Sequence, residues 1–181
     1  MNKAIIELLE KNKIIVEEGL DDKEIEEIQL LYGIRFPKSY LNFLQEGVPT
    51  SEGFFNWRDK SPDNVNYIRE AIAIPFRDLS ANAGDVYWND MWGEEPDTTE
   101  KIADYIRNKL TDAPKLIPIY SHRYMPMDVS DNPPILSVYG ADVIYYGEDL
   151  EDYFQIQFGS KKQEKIDFSK IQNVPFWTEL I

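Results

Sequence analysis

His122 is the only histidine in this 181-residue chain, so any imidazole chemistry has a single address. It lies in Pro114-Lys115-Leu116-Ile117-Pro118-Ile119-Tyr120-Ser121-His122-Arg123-Tyr124-Met125-Pro126, where an apolar run ends beside an arginine and tyrosines. An imidazole with a pKa of about 6.5 exchanges protons at neutral pH, which makes His122 a candidate general base with Arg123 as its anion binder. A structural role competes with that chemistry. In it, His122, Arg123 and Tyr124 form a pocket wall or polar tie: Arg123 pairs with a carboxylate across a sheet, and His122 satisfies a backbone carbonyl. We adopt the structural role, because the sequence holds no Gly-x-Ser-x-Gly nucleophile motif and no phosphate loop, and one histidine cannot build a multi-histidine zinc site. Calcium loops need oxygens at fixed positions around a central glycine, and no segment matches, so neither metal, cofactor nor catalysis is expected. Carboxylates are too numerous for the sequence to single out a glycosidase pair.

A second group of residues offers recognition rather than reaction. Tyr87, Trp88, Met91 and Trp92 fall within the acidic stretch from Asp85 to Asp97, which combines flat apolar area with negative charge. Aromatic rings anchor protein interfaces and charge steers approach, so Asp90, Trp92, Glu94, Glu95 and Asp97 are the candidate partner-binding residues. The alternative folds both tryptophans inward as a lid over a sheet. The two coexist if the rings are buried while Asp90, Glu94 and Glu95 point outward.

Composition limits what such a surface can meet. The formal net charge is −14, which repels phosphate backbones and anionic head groups and favours a basic protein partner over nucleic acid or membrane. Two acidic clusters concentrate it: Glu17 to Glu27, read as lying along one helix, and Asp85 to Asp104. With 43% hydrophobic and 13% aromatic residues the chain can fill one core, so a single domain over 1–181 is expected. No cysteine is present, which removes disulfides and thiolate chemistry. Glu7 and Glu10 break the apolar start before a signal-peptide core could form, and no run approaches the ~20 apolar residues of a membrane span, so a soluble, cytoplasmic protein is expected.

The positioning elements follow from period and punctuation. Helices are expected over Lys3 to Lys11, over Lys23 to Tyr32 behind an Asp21/Glu24 capping box, and from Pro37 to Gly47, making the first 45 residues helical. Ser61-Pro62 opens a further helix that Pro75 closes, and Asp97 with Glu100 caps another ending at Ala113-Pro114. The pattern then switches to strands at Leu116 to Tyr120, Ile135 to Tyr139 and Val143 to Tyr146, with a tight turn at Gly140-Ala141-Asp142. Asp149 caps a last helix bearing Leu150, Tyr153, Phe154 and Phe158, and Val174 to Trp177 docks the C-terminus. Helices segregated around a mainly antiparallel sheet make an α+β domain.

The run Ile28-Gln-Leu-Leu-Tyr-Gly-Ile-Arg-Phe-Pro-Lys-Ser-Tyr-Leu-Asn-Phe-Leu44 resembles the N-terminal signature of the SUKH superfamily, with Gly33, Pro37, Tyr40, Phe43 and Leu44 at its marked positions. That superfamily includes yeast regulators of cell-wall glucan synthesis and many bacterial immunity proteins. Phe55-Asn56-Trp57-Arg58-Asp59, Trp92-Gly93-Glu94-Glu95-Pro96, the His122 segment and Asp142-Val143-Ile144-Tyr145-Tyr146-Gly147 are similar to the branch found in Bacillus-type bacteria. Glu46-Gly47 departs from the Asn-Gly common in the family. The resemblance implies a curved, mainly antiparallel sheet flanked by N-terminal and C-terminal helices, with no catalytic residues. It implies a cytoplasmic immunity protein that neutralises a basic toxin domain, many such toxins being nucleases. An intracellular scaffold or regulator, as in the yeast relatives, is the alternative.

Overall fold

Residues 2–181 are described by a computed structural model. In chain order the elements are α1 (Asn2–Lys11), β1 (Val16–Glu18), α2 (Asp22–Tyr32), α3 (Lys38–Glu46), β2 (Gly47–Pro49), α4 (Pro62–Ala81), α5 (Thr99–Thr111), β3 (Leu116–Tyr120), β4 (Arg123–Pro126), β5 (Ile135–Tyr139), β6 (Asp142–Gly147) and α6 (Leu150–Gln157). Short 3₁₀ turns complete the α4–α5 connection and the C-terminal segment. Strands β3 to β6 form an antiparallel meander, and β1 pairs with β2 in a small antiparallel sheet. The fold is α+β. Among the described residues, no helix is long and apolar enough to cross a membrane.

Caps explain where several helices begin. Asp21 accepts from Glu24 N at 2.8 Å while Glu24 accepts from Asp21 N at 3.0 Å, so the capping box forms as its sequence requires. Gly33 ends α2 at φ 62°, a left-handed conformation that favours glycine, and its carbonyl accepts Lys115 Nζ at 3.0 Å. Asp149 caps α6 through Asp152 N at 2.9 Å.

Six local expectations need correction. The N-terminal run is not all helical, because β1 and β2 pair in register Val16↔Pro49 to Glu18↔Gly47. Glu17 and Glu18 therefore sit on a strand, and the first acidic cluster does not lie along one helix. Pro37 stands at the N-cap of α3, outside its first turn. Pro75 does not close α4, which continues to Ala81 with the proline buried inside it. Proline forfeits one helical hydrogen bond there, and packing on both sides holds the helix together: Ile68 and Ala71 join one core cluster, Leu79 the other. Thr98, not Asp97, caps α5, accepting from Lys101 N at 3.3 Å. The meander has a fourth strand as well, β4, running straight through Arg123 and Tyr124.

The meander lies between two apolar clusters. Ile117, Met125 and Ile135 join α1, α2, α3 and α6 residues, including Leu9, Phe43 and Phe154. Leu116, Tyr124, Leu136 and Val138 face the opposite way, toward Leu79, Ile106, Leu110 and Trp177. Successive strand residues point to opposite faces, so burial on both sides accounts for the near-continuous apolar runs of β3 and β5. Val174, Phe176 and Trp177 are buried as expected, and Trp177 Nε1 donates to Pro114 O at 2.8 Å.

Candidate functional site

The α4–α5 loop turns its tryptophans inward. Trp88 and Trp92 meet edge to face at 5.3 Å, and both pack on Tyr105 of α5, at 4.8 and 5.7 Å. Trp92 Nε1 donates to Glu179 Oε2 at 2.6 Å, and Lys109 Nζ reaches the same oxygen at 2.6 Å while lying 5.5 Å from the Trp92 ring centroid. Trp88 Nε1 donates to Gly93 O at 2.9 Å, and Asn89 Nδ2 to Glu179 O at 2.7 Å. Gly93 adopts φ 90° and ψ −155°, a region essentially reserved for glycine, and its carbonyl is the one that accepts the Trp88 indole. The rings are half-buried, and Asp90, Glu94, Glu95 and Asp97 are exposed. The rings thus turn inward onto α5 and Glu179 instead of over the sheet, while Asp90, Glu94 and Glu95 point outward.

Charge pairing separates the two acidic clusters. In the first, Arg58 binds Glu24 at 2.8 Å and Glu17 at 3.6 Å, and Lys60 binds Glu27. In the loop, Asp97 pairs with Lys101 at 2.6 Å, while among the described residues Asp90, Glu94 and Glu95 form no ion pair. Tyr87 and Met91, 93% and 77% exposed, stand beside these acids.

The His122 segment splits. Arg123 points to one face, where Nη1 donates to Ser137 Oγ at 2.9 Å and the guanidinium stacks 3.8 Å over the Tyr146 ring; its Nε is buried without a partner. The expected carboxylate partner is replaced by a hydroxyl and a ring, because the residue opposite Arg123 in the ladder is Ser137. His122 and Tyr124, two apart, share the other side. His122 Nδ1 lies 3.2 Å from Ser121 Oγ, so its ring partner is a hydroxyl instead of a backbone carbonyl. Burial, then the Arg123 charge, lowers the His122 pKa and so favours the neutral imidazole.

A cleft of about 360 Å³ opens beside His122, with Phe55, Tyr67, Glu70, Ala71, Ile74, Asp78, Tyr124 and Tyr139 among its walls. Of the residues around this cleft, the sequence singles out only His122 and Tyr124 as candidate site residues. Tyr67, Ala71, Ile74 and Asp78 follow helical spacing along α4, and only Asp78 lies beyond the expected stop at Pro75. Tyr124 is held at about 12 by burial, then by the Asp78 charge and the nearby Tyr67. Among the described residues, no group of three or more histidine or carboxylate side chains could hold a metal ion. No protein-family model, curated protein or solved structure matches this chain.

Proposed function

We propose that this chain is a non-catalytic binding protein that covers a cationic protein domain with its α4–α5 loop. The observation that carries this reading is the division within the loop between pinned rings and unpaired acids. Trp88 and Trp92 are fixed by Tyr105, Glu179 and Gly93, while Asp90, Glu94 and Glu95 face solvent with no ion pair among the described residues. Charges on a fixed loop need no ordering on docking, and a net charge of −14 draws a basic partner from a distance. The resemblance to the SUKH superfamily sharpens the proposal to a cytoplasmic immunity protein of the Bacillus-type branch, whose partner is a basic toxin domain, such as a nuclease. A nuclease must be cationic where it grips phosphate, and an acidic cover occludes that surface.

The neighbouring gene is then expected to encode a secreted protein ending in such a domain. Its association rate with this chain should fall about tenfold or more between about 0.05 and 0.3 M salt. Replacing Glu94 and Glu95 by Gln and Asp97 by Asn should slow association about fivefold or more while moving the thermal midpoint by under about 2 °C. Rates indifferent to both changes would remove the loop as the docking surface.

A further inference from the structure

The cleft beside His122 lies outside the acidic loop and has its own chemistry. Tyr67 is stacked on Phe55 at 5.5 Å, with ring planes 21° apart, and remains 53% exposed. Tyr139, 76% exposed, meets the His122 ring edge to face at 6.1 Å. Tyr124 is also in the cleft wall, so three phenol rings and one imidazole line a space of about 360 Å³. Two carboxylates on α4, Glu70 and Asp78, complete it. Arg77 binds one oxygen of each, Glu70 Oε2 at 2.8 Å and Asp78 Oδ1 at 3.0 Å. Two negative charges thus face one positive charge, and Glu70 Oε1 and Asp78 Oδ2 remain open as acceptors. The walls contain no lysine or arginine.

From this arrangement we infer that the cleft receives the guanidinium of an arginine presented by the partner. Aromatic faces attract cations through their quadrupoles, and open carboxylate oxygens accept planar N–H donors. Guanidinium suits the site better than ammonium because it is flat, delocalised and weakly hydrated, so it stacks on rings while donating at its edge. A phosphate or carboxylate guest would meet the two α4 carboxylates, whose charge Arg77 offsets only in part. The inference rests on the reading that the partner is a cationic protein, and it adds a second point of contact some distance along α4 from the loop.

The test uses the intact chain and blocked tripeptides, Gly-Arg-Gly, Gly-Lys-Gly and Gly-citrulline-Gly, with the His122 ring resonances as the readout, since no other histidine contributes. The arginine peptide should shift those signals saturably. The lysine peptide should bind about two- to fivefold more weakly, and the uncharged citrulline peptide about fivefold or more weakly. Tyr67→Ala and Tyr139→Ala should each weaken arginine binding about two- to fivefold while the chain stays folded, with Tyr67→Ala lowering the unfolding midpoint by a few degrees at most through its lost stack on Phe55. Silence at His122, equal binding of lysine or citrulline, or full binding by both tyrosine variants overturns the inference. Peptide binding should survive the Glu94, Glu95 and Asp97 substitutions within about twofold. If the cleft fails while partner association still depends on salt and on the loop, only this inference falls. If the peptide binds but the loop substitutions leave association untouched, the loop proposal falls alone.

Discussion

Glu179 gathers three donors onto one carboxylate: Trp92 Nε1 and Lys109 Nζ, each at 2.6 Å, and Phe176 N at 3.0 Å. Burial pushes its pKa up, but Lys109, Trp92 and the Phe176 amide outweigh burial and hold the carboxyl below its ordinary value. A lowered native pKa means that folding favours the charged form, so the stabilisation is complete above the unfolded value of about 4.3 and is lost as pH falls through the native one. Glu179→Gln is therefore expected to cost about 1–3 kcal/mol at pH 7 by urea unfolding, with the gap to the parent closing below about pH 4. A gap that stays constant with pH would show that the charge is not used. At this scale, Arg123 shows how far residue type can be read without register. That it ties across the sheet was legible, yet its partner depends on which residue faces it across the ladder, and that is set by β4–β5 pairing rather than by any local pattern.

At the scale of elements, capping decides between neighbours. Thr98 accepts the Lys101 amide, whereas Asp97 makes only an exposed pair with the Lys101 side chain. Thr98→Ala should lower stability by about 1 kcal/mol, and Asp97→Asn by less than about 0.5 kcal/mol, in chemical denaturation. A larger loss from Asp97→Asn would return the cap to that residue. The misplacement arose because Asp97 and Thr98 are both good cap formers and the sequence does not state which backbone torsion departs from helical. Most other elements were legible from period and punctuation: the Asp21 box, the Ser61-Pro62 start, the Asp149 cap and the β5–β6 turn stand where their residues place them. What stayed hidden depended on long-range packing. Strands β1 and β2 are three residues each, too short for an alternation signal, and they exist because they pair. Pro75 reads as a stop locally, yet α4 passes through it because residues on both sides of it are buried in separate clusters. A helix ended at Pro75 leaves Asp78 out of the cleft wall, to which α4 contributes five residues.

For the whole molecule, the meander is the shared wall of both clusters. Leu116 and Ile117 are adjacent in β3, fully buried, and face opposite sides. Replacing either by Ala should cost about 2–5 kcal/mol. Because one sheet carries both sides, each substitution should shift a single unfolding transition, seen alike by Trp177 in one cluster and Trp57 in the other. Two separated transitions would divide the chain into independent units. The loop between α4 and α5 has a different relation to this frame. Its inward half is fastened to α5 and the C-terminal turn, while Tyr87, Met91, Glu94 and Glu95 project from it and touch little. Changes at the tips therefore leave the scaffold undisturbed. A molecule arranged in this way can exchange a handful of outward side chains while the framework beneath them keeps its shape.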